Sequence, residues 1–173
     1  MNALAIPPSA DLPAMQAWAR KIMNSRAPDY VIGTGYLNRW YIVPRNPWSN
    51  LYLHAFLGSD DDRALHDHPW ANTSLLIEGS YIEHTPDGGF ERRAGDLVSR
   101  TAETKHRLEL ISELPVISLF ATGPKVREWG FACPHGWVHW ADFTDPDNPA
   151  RTGGGCGEPG DLARVTVPGM VPA

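Results

Sequence analysis

The sequence predicts an all-β domain of short antiparallel strands, preceded by one helix. Two observations indicate this class. Runs rich in Val, Ile, Tyr, Trp and Phe recur between residues 30 and 143, and turn sequences such as Pro86-Asp87-Gly88 separate them. A helical spacing of apolar residues is found near the start, between residues 11 and 24. This combination is typical of a sandwich or a barrel.

Length and charge set the broad class of protein. The chain has 173 residues and a formal net charge of −5, which suits one domain and argues against a general nucleic-acid binder. No secretory signal or membrane-length apolar stretch is visible, so we expect no membrane partner. The two cysteines predict no disulfide framework, and a reducing cytoplasm is the expected location.

The predicted helix covers residues 11–24 and follows a loose, Pro-rich start at residues 1–10. Ser9 or Asp11 is placed to cap it, and Pro13 is tolerated in its first turn. The apolar residues form one stripe, which predicts a helix packed on the outside of a barrel. The stripe consists of Leu12, Met15, Ala19, Ile22 and Met23.

Three strands are predicted after the helix, at residues 30–32, 35–44 and 51–57. The third alternates, with Leu51, Leu53 and Ala55 on one face and Tyr52, His54 and Phe56 on the other. We expect His54 to be a wall residue or a group that supports a site, rather than a metal ligand.

Two histidines one residue apart, His66 and His68, mark the next segment. On a strand their side chains would share a face, with Asp67 facing away. Imidazole is the commonest side-chain metal ligand. An apolar run at residues 74–77, a turn at Gly79 and a further strand follow.

A second histidine motif begins at Gly95. A short strand at residues 97–99 follows, and His106 then begins an alternating run. Together the two motifs resemble the cupin superfamily, whose first motif has His-x-His and a later glycine, here Gly79. The resemblance covers roughly residues 51–131 and implies a cupin-type double-stranded β-helix, or jelly-roll barrel.

The resemblance implies a metal site made by His66, His68 and His106. The glutamate ligand of many cupins would fall at Asn72 or Thr73, so the ligand set resembles that of three-His cupins, among them the thiol dioxygenases. A fourth ligand from Asn72 or Glu109 stays open, as does water.

The implied activity is that of a mononuclear iron oxygenase acting on a small organic acid or thiol. One divalent metal per chain is expected, Fe(II) being favoured and Zn, Ni or Mn also compatible with the ligands. Tyr52 and Tyr81 are candidate proton or hydrogen-bond donors, and Arg63 or Arg39 is a candidate partner for a substrate carboxylate.

Two other readings remain open. A non-catalytic cupin could bind a small ligand or metal, which the missing glutamate favours. A metal-free structural jelly roll could serve in an assembly. Cupins are commonly dimers, so the resemblance also implies a homodimer.

The C-terminal part has two further features. Residues 133–140 contain Cys133, His135 and His139, whose spacing matches no standard zinc pattern and favours a structural turn over a second metal site. An aromatic hairpin at residues 137–143 is expected to close one end of the barrel. Residues 144–173 are Pro/Gly-rich and are predicted to form a tail over the domain or over a neighbouring chain.

Overall fold

The structure is a computed structural model that describes residues 11–33, 35–60, 64–113 and 115–157. Two helices are described, α1 (Leu12–Ser25) and α2 (Trp140–Phe143). The strands are β1 (Tyr30–Ile32), β2 (Leu37–Tyr41), β3 (Asn50–Phe56), β4 (Leu65–His66), β5 (Asn72–Glu78), β6 (Ser80–Thr85), β7 (Gly88–Arg93), β8 (Leu97–Arg100), β9 (Arg107–Leu110), β10 (Val116–Thr122), β11 (Gly130–Cys133) and β12 (Gly136–His139).

The predicted helix is confirmed as α1. Asp11 caps it, because the carboxylate accepts a hydrogen bond from the Ala14 backbone N–H at 2.9 Å. Its buried stripe packs against the outward side chains of the larger sheet, as the sequence predicts. These contacts join Met15, Trp18, Ala19 and Ile22 to Leu53, Ala55, Ile77 and Ile117.

Six antiparallel strands form the first layer, in the order β1-β2-β3-β10-β5-β8. Leu53 and Ala55 point to α1, whereas Tyr52, His54 and Phe56 point into the domain. The inner face of this layer is therefore mixed, with aromatic and polar side chains in alternation along β3.

The second layer consists of two three-stranded sheets, β12-β11-β4 and β7-β6-β9. An antiparallel bridge between His66 and His106 joins them. The two layers meet in an apolar cluster at one end of the domain, formed by Leu37, Phe56, Leu76, Tyr81, Leu108 and Val116. The predicted all-β double-stranded β-helix is confirmed.

Two strand predictions differ from the structure in detail. The sequence predicts one more strand at residues 126–132, with Arg127 and Glu128 exposed or paired. In the structure this strand begins only at Gly130, after a segment without regular pairing. Strand β4 comprises two residues, so His68 lies beyond it. Strand alternation alone therefore does not bring His66 and His68 together.

The cysteine prediction was wrong, because Cys133 and Cys156 form a disulfide. The bond ties the C-terminal segment to β11, and the Gly153 and Gly155 backbone N–H groups bond to the Phe143 carbonyl. The segment 144–157 thus lies on the domain itself, which was one of the two expected arrangements. Its glycines permit this, since a Cβ at Gly153 would lie 2.6 Å from the Thr144 carbonyl oxygen. Residues 158–173, like 1–10, lie outside the described residues.

Removal of this disulfide should destabilise the fold. The cysteines are 23 residues apart, and opening a loop of that size costs about 3 kcal/mol in the chain-entropy account. We expect Cys133→Ser to lower the free energy of unfolding by about that amount in urea, and dithiothreitol to have no further effect on the variant. An unchanged unfolding midpoint would show that the segment is held by its other contacts.

No helix in the described ranges is long and apolar enough to span a membrane. The disulfide removes the argument for a reducing compartment, because such bonds persist mainly where conditions are oxidising.

Candidate metal centre

Three histidine side chains converge between the two layers. His66, His68 and His106 each offer a ring nitrogen, and these nitrogens lie within 4.8 Å of one another. The ring centroids form a near-equilateral triangle with sides of 4.9, 5.1 and 5.1 Å. The sequence prediction of a three-His cluster is therefore confirmed, and the cluster could hold one metal ion.

Backbone pairing sets the positions of the three rings. His66 and His106 exchange two backbone hydrogen bonds of 2.9 Å, which places their side chains next to each other. The backbone N–H of His68 donates to the Ala102 carbonyl at 3.0 Å, in the turn that precedes His106. The histidine pair and the third histidine are thus held together by the main chain.

Asp67 points away from the two histidines, as predicted, and is only 2% exposed. Its carboxylate accepts hydrogen bonds from the Gly130 backbone N–H at 2.8 Å, the Trp137 indole at 3.0 Å and the Arg127 guanidinium at 2.6 Å. These bonds secure the histidine segment to the β11–β12 hairpin. The residue between the two ligands therefore has a structural role.

Glu83 contacts His106 at Nδ1, the ring nitrogen that faces away from His68. Its carboxylate lies 3.1 Å from His106 Nδ1 and accepts bonds from Arg100 Nε at 2.6 Å and from Arg92 Nε at 2.9 Å. Burial opposes its ionisation, but the His106 hydrogen bond and the Arg100 charge outweigh burial and lower the pKa of Glu83 to about 2. An ionised Glu83 accepts a hydrogen bond from the Nδ1–H of His106. The proton of the neutral ring is then on Nδ1, and the Nε2 lone pair faces the cluster.

Two of the three histidines, His66 and His68, are neutral at physiological pH, because burial lowers the pKa of each ring. Burial lowers the pKa of His66 to about 4, although the charge of Asp60 opposes the change. Burial and the other two histidines lower the pKa of His68 well below its usual value. His68 Nε2 and His106 Nε2 lie 2.8 Å apart, so a proton or a cation must lie between their lone pairs. This set of three imidazole donors fits a divalent metal.

Asp60 lies near the site, in the segment that follows β3. It is 8% exposed, accepts a hydrogen bond from the Leu108 backbone N–H at 2.7 Å, and also binds the Tyr36 hydroxyl. Its carboxylate is 3.8 Å from His66 Nδ1, which is an electrostatic contact rather than a hydrogen bond. It tethers β9 and influences His66 by its charge.

The structure describes two of the three predicted catalytic residues, Tyr52 and Tyr81. Tyr52 lies on the inner face of the first layer, stacked on His54 at 5.9 Å. Tyr81 is 1% exposed in the apolar cluster between the layers, and burial raises its pKa. Arg63 lies outside the described residues. Their catalytic roles stay predictions.

Glu109, one open candidate for a fourth ligand, does not belong to the cluster in the described part of the chain. Asn72 Oδ1 accepts a hydrogen bond from Arg100 Nη1 at 3.4 Å, and Glu109 pairs with His84 at 2.7 Å.

Cys133 is in the disulfide, and the His139 side chain caps α2. These contacts agree with the structural interpretation of residues 133–140.

Glu83, Arg92 and Arg100 were missed in the sequence. One signal was available: Glu83 follows Tyr81 at a spacing of two, so both point to the same face of a predicted strand. A carboxylate at an inward position needs a charged partner. Which arginine supplies it depends on strand pairing, since Arg92 comes from β7 and Arg100 from β8.

His54 forms the opposite wall, where the sequence placed it. It is 3% exposed and stacks on Phe120 at 5.0 Å. Arg39 Nε donates to His54 Nε2 at 2.9 Å, so the neutral ring carries its proton on Nδ1. Burial and the charge of Arg39 lower the pKa of His54 well below its usual value.

His54 should make the fold sensitive to acid. Below about pH 6.5 the unfolded chain protonates His54 and the folded chain does not, so stability falls as pH falls. In urea unfolding of metal-free protein, wild type should lose about 1 kcal/mol more than His54→Gln between pH 7.5 and 5.5. Arg39 and Tyr52 are the charged and titratable groups that contact the ring. Equal losses in both proteins would contradict the neutral assignment.

Neither a family model nor a curated protein sequence matches this chain. Solved structures with a similar fold include a candidate mannose-6-phosphate isomerase from Ralstonia eutropha JMP134, with 15% identity over 68% of this chain and 99% of the other and a TM-score of 0.47. An RmlC-like cupin from Shewanella frigidimarina NCIMB 400 has 16% identity over 59% and 86%, with a TM-score of 0.45. KdgF from Halomonas sp. has 14% identity over 56% and 87%, with a TM-score of 0.44.

A further neighbour, from Klebsiella pneumoniae, has a double-stranded β-helix domain, with 19% identity over 58% of this chain and 88% of the other and a TM-score of 0.45. The geometry of this chain alone defines the candidate site, because three histidine side chains converge inside a jelly-roll barrel.

Proposed function

We propose that this protein is a mononuclear metal-dependent enzyme of the oxygenase type, acting on a small organic acid or thiol. The observation that supports the proposal most is the convergence of three imidazoles inside a barrel, without a carboxylate in the cluster among the described residues. Three protein ligands leave coordination positions open, which is typical of catalytic rather than structural metal sites.

His66, His68 and His106 would hold the ion, and iron(II) is our preferred candidate. Zinc, nickel and manganese suit the same donors, so ligand type alone does not select the metal. A bound divalent ion would supply Lewis acidity and, for iron, the capacity to activate dioxygen. Neutral ligands leave its charge intact, which favours an anionic substrate group.

The residues of this chain have separable tasks in the proposal. Glu83 holds the His106 ring with its Nδ1 proton outward, and Asp67 fixes the segment that carries the other two rings. Trp70 stacks on His68 at 4.9 Å, and Phe120 lies across from it at 6.3 Å. These aromatic rings exclude water from one side of the cluster.

Metal content and oxygen uptake test this proposal. The protein is purified anaerobically and loaded with iron(II), and oxygen consumption is then followed with a panel of small carboxylic acids and thiols. We expect one iron per chain and uptake with at least one compound. His66→Ala should abolish both, whereas His84→Ala, on an outward position of β6, should retain both. Failure to bind any divalent metal would overturn the proposal.

A second function is favoured by one specific observation. The cupin glutamate would fall at Asn72 or Thr73, neither of which is a carboxylate, and the Asn72 side chain accepts a hydrogen bond from Arg100. A site without that carboxylate suits a cupin that binds a metal or small ligand without turnover. Stoichiometric metal with no oxygen uptake across the panel would support this function over the first.

A further inference from the structure

The first layer presents an unusual set of polar atoms to the histidine cluster. Four buried side-chain atoms have no hydrogen-bond partner among the described residues, and each belongs to a residue that is 4% exposed or less. They are His54 Nδ1, Ser118 Oγ, Asn72 Nδ2 and Thr122 Oγ1. Buried polar groups nearly always have partners, so these four call for a polar ligand or water.

The four atoms share one face of the sheet. Ser118 pairs with His54 across β10 and β3, and Thr122 pairs with Asn72 across β10 and β5. Residues 118, 120 and 122 alternate to the same side, and the Phe120 ring contacts His68. The polar atoms therefore line the inner wall opposite the three histidines.

Arg39 adds a positive charge to this wall. Its Nε donates to His54, and its guanidinium carbon lies 4.7 Å from the centre of the Tyr52 ring. Within the described ranges no carboxylate forms an ion pair with Arg39, in contrast to Arg92 and Arg100, which share Glu83. The Nη groups of Arg39 thus remain available as a planar pair of donors.

Arg39 is connected to the cluster through the side chains of the inner wall, because its Nε bonds to His54 at 2.9 Å and the His54 ring stacks on Phe120. The Phe120 ring lies near both His54 and His68, with centroid distances of 5.0 and 6.3 Å. A ligand that reaches both Arg39 and the histidines therefore needs only a short chain of heavy atoms.

We propose that Arg39, with His54 and Ser118 beside it, binds the carboxylate of a small monocarboxylic acid whose other end faces the three histidines. This inference rests on the proposed function, since it names the substrate class of the same interior. A carboxylate matches the guanidinium fork, and His54 Nδ1–H and the Ser118 hydroxyl are further donors. Arg39 supplies one positive charge that no carboxylate among the described residues neutralises, and His54 adds none. This single charge matches a monoanion better than a phosphate dianion.

Propionate and its neutral isostere propionamide test the inference. Each is titrated into the full-length chain, before and after zinc loading, while the Arg39 Nε–H resonance is followed by NMR. We expect a saturable shift with propionate and at least about tenfold weaker binding of propionamide, because only the acid forms charge-assisted bonds. Arg39→Gln should abolish this preference, whereas Arg20→Gln, on the outward side of α1, should keep it.

Equal responses of the wild-type chain to the two probes would overturn the inference, and this outcome needs no variant to fold. Arg39→Lys provides a second variant, which keeps the charge without the fork and should retain part of the preference. Zinc binding in the same samples tests the proposed function separately. Zinc binding without a preference for the acid refutes this inference alone, whereas the preference without zinc binding refutes the metal-dependent function alone.

Discussion

Replacing Glu83 with alanine should lower the free energy of unfolding by about 3–5 kcal/mol. The reason is the pair of arginines that its carboxylate neutralises. Arg100 is 3% exposed in its side chain and lies 2.5 Å from Glu83 through Nη2, while Arg92 lies 2.9 Å away. Without the carboxylate, a buried guanidinium would keep its charge and lose its partner.

The matched control is Glu78→Ala. Glu78 also pairs with an arginine, Arg20, but their side chains are 29% and 61% exposed. Solvent screens such a pair, so its loss should cost less than about 1 kcal/mol. Urea unfolding of the metal-free proteins measures both changes. Similar losses in the two variants would show that burial does not increase the contribution of the Glu83 ion pairs to the free energy of unfolding.

The second large effect concerns metal affinity. His106→Ala should weaken zinc binding by more than about 100-fold, since even loss of a group that only orients a ligand costs 10–100-fold. His106 is central to the cluster, with Nε2 at 2.8 Å from His68 Nε2 and its ring 4.9 Å from that of His66. Competition with a chromogenic chelator measures the dissociation constant.

His84→Ala is the matched control for this effect. Its ring is partly exposed and bonds to Glu109 at 2.7 Å, away from the cluster. Zinc affinity should be unchanged in this variant. If both variants bound zinc equally well, the metal would be held elsewhere on the protein.

The sequence predicted those features that follow from local patterns. Helix α1, its Asp11 cap and the strand faces follow from periodicity and turn residues, which depend on neighbouring positions only. The three histidines were found because their motif spacing resembles that of a known superfamily. Their convergence is set by the pairing of His66 with His106, across 40 positions of sequence, which no local pattern encodes.

The features that were missed depend on contacts between distant segments. Glu83 was missed because it lies outside the positions of the cupin ligand motifs, although its inward direction could be inferred from Tyr81. The disulfide was missed because Cys156 lies in a glycine-rich segment, and those glycines are what allow the chain to return to β11. The unpartnered atoms opposite the histidines become visible only when β3, β5 and β10 are placed side by side.

The central claim is that His66, His68 and His106 bind one divalent metal. An anomalous difference map from crystals grown with zinc tests it most directly. We predict one peak per chain, about 2.0–2.1 Å from a ring nitrogen of each of the three histidines. A map without a peak at this position, or with zinc bound instead beside His139 and Glu128, would contradict the claim.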